Sequence, residues 1–318
     1  MEKRLLFALP AFILMASLFL AGYAYAKHVP PWIRSIDPIV STDWLAANSG
    51  LQDLVILDIR GGADYAAGHI PKAINVPFTD PFSSEWVVSD PNGLWLQLPD
   101  KTALFNTIGS RGIKRDSLVV IVTTTGEPPY PLANATRVAD TLIYAGVKNV
   151  AILDGGYPKW VAEGKPKTTE TPVVQPILYR AKVDEEMFVS REYVRKHIGR
   201  VLIIDARDAD VYFGVTIEPF ADKAGHIPSA RSLPTPWMWK LDGESYIYKD
   251  TETLSAMASG VIGKHKASEI IVYCGVGGYA SSWWFVLTQV LGYENVNIYD
   301  GSAQEWVRYY DMVPYQWD

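Results

Sequence analysis

"VSTDWLAANSGLQDLVILDIR" runs from Val40 to Arg60, and "VSREYVRKHIGRVLIIDAR" runs from Val189 to Arg207. Each opens on a serine placed to cap a helix, Ser41 or Ser190, passes through a short amphipathic stretch, and closes on an apolar run ending in Asp-x-Arg. The echo continues outward. Gly68-His69-Ile70-Pro71 returns as Gly225-His226-Ile227-Pro228, and "AGVKNVAILDGGYPKW" (Ala145 to Trp160) returns as "LGYENVNIYDGSAQEW" (Leu291 to Trp306). The segments recur in the same order, so the chain is an internal duplication.

The two units cover about residues 37–165 and 185–318. Between them, residues 166–184 are rich in Pro and Thr and lack periodicity, which reads as an extended linker. Within the units, "LVILDI", "SLVVIV", "VAILDG", "VLIIDA", "EIIVYC" and "VNIYDG" read as buried strands. Helical stretches such as Ala133 to Ala145 and Ala280 to Leu291 separate them. This alternation predicts an α/β fold of two tandem domains, each a central, mainly parallel sheet flanked by helices. Ligands in such sheets bind beyond the carboxyl ends of strands.

Composition is that of an ordinary globular chain, 48% hydrophobic and 20% charged over 318 residues. A net charge of -6 without any run of Lys or Arg argues against nucleic acid or an anionic membrane as the main partner. Any anionic substrate must therefore meet a local site. Lys3 and Arg4 precede an apolar run from Leu5 to about Leu20, followed by Ala24-Tyr25-Ala26. That order predicts a secretory signal, residues 1–26, cleaved to leave Lys27 first. The competing reading is an uncleaved membrane anchor. Under either, the folded part works in the periplasm or another extracytoplasmic space.

Cys274 is the only cysteine of the chain. Exported proteins usually pair their cysteines, so a single one needs explaining. It ends the strand "EIIVYC", and residues 275–279, three of them glycine, turn the chain toward a helix expected from about Ala280. Glycines let successive backbone N–H groups converge, and a helix N-terminus adds partial positive charge at the same point. The expectation is a sulfur stabilised as an anion, with the thiol brought below its ordinary pKa. Spacing argues against other chemistries. A cysteine phosphatase needs an arginine six positions on, where Ala280 stands. A Cys/His pair would have to recruit His197, His226 or His265, and His226 in "GHIP" is expected to bond local backbone. No Cys or His spacing suits a metal.

In combination these motifs resemble the rhodanese homology domain in tandem, and the resemblance covers nearly all of the mature chain. It implies a catalytic C-terminal domain, an inactive N-terminal one, and sulfurtransferase chemistry without a cofactor. Cys274 would take a sulfane sulfur from a small-molecule donor such as thiosulfate, become a persulfide, and pass the sulfur to cyanide or a thiol. Gly275, Val276, Gly277, Gly278 and Tyr279 would complete the loop around it, and Arg207 would contact the donor anion. A redox or sulfur-carrier protein is a further possible partner, and a monomer is expected.

Aligning "SLVVIVTTTGEPPYPL" with "SEIIVYCGVGGYAS" sets Thr124 opposite Cys274, with Glu127 and two prolines in place of glycines. Such a loop cannot cradle an anion, which makes the first unit a scaffold lining one wall of the cleft. Asp58, Asp205, Arg60, Trp160 and Trp306 recur in both units or have a counterpart in the unit read as inactive, which points to structure rather than chemistry. Two departures from the family blur the donor. Gly275 and Val276 are neutral where thiosulfate-preferring members often carry basic residues. "C-G-x-G" is closer to 3-mercaptopyruvate sulfurtransferases, yet their second arginine, six residues beyond the first, is here Phe213. An inorganic or persulfide-type donor is therefore expected, with Lys223 and Arg231 as candidate replacement cations. The alternatives are a sulfur or selenium carrier of the same fold with little turnover, a 3-mercaptopyruvate sulfurtransferase, and a noncatalytic interaction module.

Overall fold

The computed structural model describes residues 34–78 and 84–317. The expected signal sequence lies outside them. Among the described residues no helix is long and apolar enough to cross a membrane.

The first sheet holds β1 (Ile39–Val40), β2 (Leu54–Asp58), β3 (Ile74–Asn75), β4 (Leu118–Val122) and β5 (Asn149–Leu153) in the order β1-β5-β4-β2-β3. The second holds β6 (Phe188–Val189), β7 (Leu202–Asp205), β8 (Ala230–Ser232), β11 (Ile270–Tyr273) and β12 (Val296–Tyr299) in the order β6-β12-β11-β7-β8. Every pairing in both is parallel. The same topology therefore occurs twice, as the repeat demands. Between β8 and β11 an antiparallel hairpin is inserted, β9 (Trp239–Asp242) and β10 (Ser245–Tyr248).

Local chemistry explains the elements. Central strands are covered by helices on both faces, so they read as unbroken apolar runs rather than alternating ones, and every residue of β5 and β11 is buried. Ser41 and Ser190 cap as expected, their Oγ atoms accepting from Trp44 N at 3.0 Å and Tyr193 N at 3.2 Å. Residues 166–184 form no helix or ladder strand. They lie against the first unit, with Ile177 N donating to Gly109 O and Tyr179 Oη to Ala145 O.

The long helix of each unit follows the equivalent loop, and the two helices pack on each other. Helix Tyr130–Tyr144 starts three residues before the expected Ala133, and helix Gly278–Phe285 starts two before Ala280, passing into a π turn at Val286–Val290. Thr136 Oγ1 and Ser282 Oγ meet across the contact at 2.8 Å, both fully buried. Leu132, Val138, Ala280, Trp283 and Trp284 belong to one apolar core that spans both units. Burying such surface stabilises by about 25 cal/mol per Å², so the helix pair couples the units thermodynamically.

Candidate active site

β11 delivers Cys274 to the carboxyl end of the second sheet, and four residues, 274–277, connect it to the helix that begins at Gly278. Gly277 caps that helix at φ +101°, a conformation open to glycine and costly for other residues. From there its N–H donates to Cys274 Sγ at 3.0 Å. The Asp300–Gln304 stretch, the repeated "DG" motif, holds the loop from below. Ser302 Oγ accepts from Cys274 N at 3.3 Å, Ala303 N donates to Cys274 O at 2.9 Å, and Gln304 N donates to Gly275 O at 3.0 Å.

The thiol itself departs from expectation. Cys274 is only 2% exposed, and burial pushes its pKa up, not down. The amides of Ala280, Val276 and Gly277 do favour the anion, as the glycine turn suggested, while the carboxylate of Glu218 opposes it. Desolvation outweighs the cradle because the sulfur has lost water on nearly every side. The loop thus has the predicted shape, but it does not by itself poise the thiol low.

Arg207 is placed by the "DAR" motif, and most of its donors are consumed there. Its Nε and Nη2 bond the Asp205 carboxylate at 2.6–3.1 Å, and Nη2 also donates to Gly225 O. In the first unit Arg60 makes the same bonds to Asp58 and to Gly68 O. The shared pattern is structural: a buried arginine staples a strand end to the "GHIP" turn. In that turn His69 and His226 stack on Tyr65 and Tyr212 and bond their carbonyls through Nδ1. What differs is Nη1 of Arg207, which faces Glu218 Oε2 at 3.4 Å.

Glu218 was not singled out by sequence reasoning. A Cβ on Gly275 would stand 2.7 Å from its Oε1 and 2.6 Å from Phe220, so the loop's first glycine is needed for space. Burial pushes the Glu218 carboxyl up to about 7, with Arg207 pulling the other way and Asp205 and Asp208 adding to the rise. Neither candidate replacement cation reaches this place. Lys223 Nζ is held by Tyr310 O and Asp311 at 3.0 and 2.9 Å. Arg231 donates to Val261 O and lines a pocket with Arg200, Val201 and Leu202, where β7 begins, at the opposite end of the sheet from Cys274.

The first unit packs against the support of this loop. Trp95 N donates to Gln304 Oε1 at 2.9 Å and Trp95 O accepts from Gln304 Nε2 at 3.0 Å, while the Trp95 ring lies 5.6 Å from Phe220. Arg137, fully buried on helix Tyr130–Tyr144, pairs with Asp300 at 2.7 Å beneath Gly277. The one available signal for Arg137 was its charge, with that of Asp140, in a helix whose other residues are all uncharged, where a buried arginine needs a partner.

The register corrects the alignment of the two loops. Asp58 pairs with Val122 and Asp205 pairs with Tyr273, so the residue opposite Cys274 is Thr123, not Thr124. Tyr157 N donates to Thr123 O just as Ala303 N donates to Cys274 O, which fixes the same correspondence. Seven residues, 123–129, then precede the helix, against four in the second unit. That extra length carries Glu127 and Tyr130 toward the second unit. Glu127 accepts from Tyr246 Oη of the β9–β10 hairpin at 2.6 Å, and the Tyr130 ring lies 5.8 Å from Tyr279.

A family profile of the rhodanese-like domain matches residues 41–163 and 190–309. The "Sulfur carrier protein TtuD" of Thermus thermophilus is 32% identical over 290 residues, covering 84% of this chain and 93% of its own. A protein of Synechococcus elongatus named "Putative thiosulfate sulfurtransferase" is 28% identical over 310 residues, covering 93% and 92%. The solved 3-mercaptopyruvate sulfurtransferase from Leishmania major shares the fold at a TM-score of 0.68 and 20% identity, over 85% of this chain and 74% of its own.

Proposed function

Since the chain belongs to the rhodanese-like family, we propose that it is a sulfurtransferase in which Cys274 carries the sulfur as a persulfide. The observation that supports this reading is the Gly277 N–H directed at Cys274 Sγ from the start of a helix. In the first half-reaction the Cys274 thiolate bonds to the sulfane sulfur of the donor, the donor's S–S bond breaks, and the remainder leaves with the electron pair. With thiosulfate the leaving group is sulfite. The outer sulfur of the persulfide then bonds to cyanide or a thiol, and Cys274 leaves as the thiolate. Backbone N–H groups at the loop stabilise the charge that moves between the two sulfurs. Thr123 cannot take this part, and the first unit serves as the wall of the site. The two domains of this reading are residues 37–165 and 185–318, joined by 166–184.

The protein is proposed to work outside the cytoplasm, the signal pattern of residues 1–26 supporting this. The test of function is intact mass after incubation of the mature chain with thiosulfate and, separately, with an organic persulfide. A gain of one sulfur that vanishes in Cys274→Ser is expected; no gain with either donor rejects the proposal. A carrier role is favoured by one observation, the name of the Thermus relative. Steady thiocyanate production from cyanide separates enzyme from carrier.

A further inference from the structure

The charges around the Cys274 loop run against the donors usually drawn for this chemistry. An anionic donor needs a cation with a free donor group. Arg207 is committed to Asp205 and Gly225 O, and its remaining Nη1 faces Glu218. Arg137, the other guanidinium near the loop, is fully buried beneath Gly277 with its charge paired to Asp300 at 2.7 Å. The Glu218 carboxylate therefore stands where the oxygen of an incoming anion would have to bind. Its oxygens also lie against Gly275, beside the nucleophile. Two further exposed carboxylates, Asp208 and Glu127, act on Tyr279, which the Cys274 sulfur also reaches electrostatically, and Glu127 accepts from Tyr246 Oη at 2.6 Å. The rings of Tyr130 and Tyr279 complete this side. Carboxylates with aromatic faces suit a cation and repel a small anion.

We propose that Glu218 is a specificity-determining charge filter: with Asp208 and Glu127 it fits the Cys274 site to a sulfane carrier bearing an ammonium group, an amine-containing organic persulfide, and against thiosulfate-like anions. The proposal rests on the sulfurtransferase reading only for the identity of the transferred sulfur. For such a donor, R–S–SH, the Cys274 thiolate bonds to the terminal sulfur, the donor's S–S bond breaks, and RS⁻ leaves with the pair. No outside oxidant or reductant enters.

The test reads the local potential directly. Three methanethiosulfonates differing only in head group, sulfonatoethyl, methyl and trimethylammonioethyl, each transfer an alkylthio group to a thiolate and release methanesulfinate. Their rates at Cys274 are measured at about pH 8, where an acid of pKa near 7 is ionised, and each is divided by the rate with free 2-mercaptoethanol. The cation-to-anion ratio is expected to exceed that of the free thiol by about tenfold or more, the effect of one nearby charge at intermediate dielectric. Glu218→Gln should erase most of that excess and raise the rate of thiosulfate loading by a similar factor. Because Glu218 touches buried Arg207, the exposed pair Asp208→Asn with Glu127→Gln provides a second variant, expected to lower the ratio by a smaller factor. A wild-type ratio equal to that of the free thiol, or variants that leave it unchanged, overturns the proposal. If the ratio is high but no sulfane donor loads Cys274, the charge filter stands and the sulfurtransferase reading falls. If donors load Cys274 and the ratio is flat, the reverse holds.

Discussion

Gly277 donates its backbone N–H to Cys274 Sγ over 3.0 Å, from a φ of +101°. A side chain at position 277 meets strain in the backbone before it meets any neighbour, since the nearest atoms to a Cβ there are Asp300 O and Oδ1 at 3.4 Å. Gly277→Ala is expected to destabilise the chain by about 1–2 kcal/mol, the cost of positive φ for an L residue, and to slow sulfur loading by at least roughly tenfold, as losing one aimed donor does. Thermal denaturation and single-turnover mass spectrometry check the two parts separately.

Burial holds the Cys274 thiol above its ordinary range. Alkylation by iodoacetamide, an uncharged probe, is therefore expected to keep accelerating above about pH 9, where a thiol of pKa about 8.5 is levelling off. Glu218→Gln removes the carboxylate that disfavours the thiolate, so its profile should shift toward lower pH. A wild-type profile that levels off near neutrality contradicts this account of the site.

Glu218 also sets a pH dependence of stability. Its folded pKa of about 7 lies above its ordinary value of 4.5, so the folded state holds the proton more tightly than the unfolded state does. The contribution is fully present below about pH 4.5 and is lost as pH rises through about 7. Around this group stand Arg207, which favours the carboxylate, and Asp205 and Asp208, which oppose it. Glu218→Gln cannot ionise, so it is expected to match the wild type near pH 4.5 and to exceed it near pH 8 by on the order of 2 kcal/mol. Urea denaturation at the two pH values measures the difference.

Arg137 carries a charge into the contact between the units, with Asp300 as its ion-pair partner. Removing one member of such a pair leaves the other uncompensated. Arg137→Met is expected to cost roughly 3–5 kcal/mol and to loosen the Asp300 end of the loop support. Gln304→Ala, which breaks both bonds to Trp95, should cost less, about 1–3 kcal/mol. Equilibrium unfolding ranks the two.

Thr123 lies opposite Cys274, yet its Oγ1 donates to Pro131 O and it sits in a loop three residues longer. Thr123→Ala should leave sulfur transfer within about twofold of wild type, with a stability loss of about 1 kcal/mol for the hydrogen bond. A large loss of turnover would give this loop a chemical part that its geometry does not support.

The repeat, the strands and both serine caps were legible because they depend on local pattern: apolar runs, capping hydroxyls and matched order. The glycine loop was legible for the same reason. Three things were not. The state of the Cys274 thiol depends on how much water is removed, which no spacing reveals. Glu218 reaches Gly275 from a segment more than fifty residues away, and nothing in its local sequence marks it. The one-residue error opposite Cys274 came from matching letters across loops of unequal length, where hydrogen-bonded register alone decides. Lys223 and Arg231 failed as site cations because charge was counted without direction: each points to a carbonyl elsewhere.

The helix that leaves the cysteine loop is packed by a helix of the other unit, and the core continues through both. Cutting the chain in the linker would expose Ala280, Trp283 and Trp284 on one fragment and Leu132 and Val138 on the other. What looks in sequence like two beads on a string is thereby a single cooperative body, and it should lose its structure in one transition. Each half persists as the folding partner of the other.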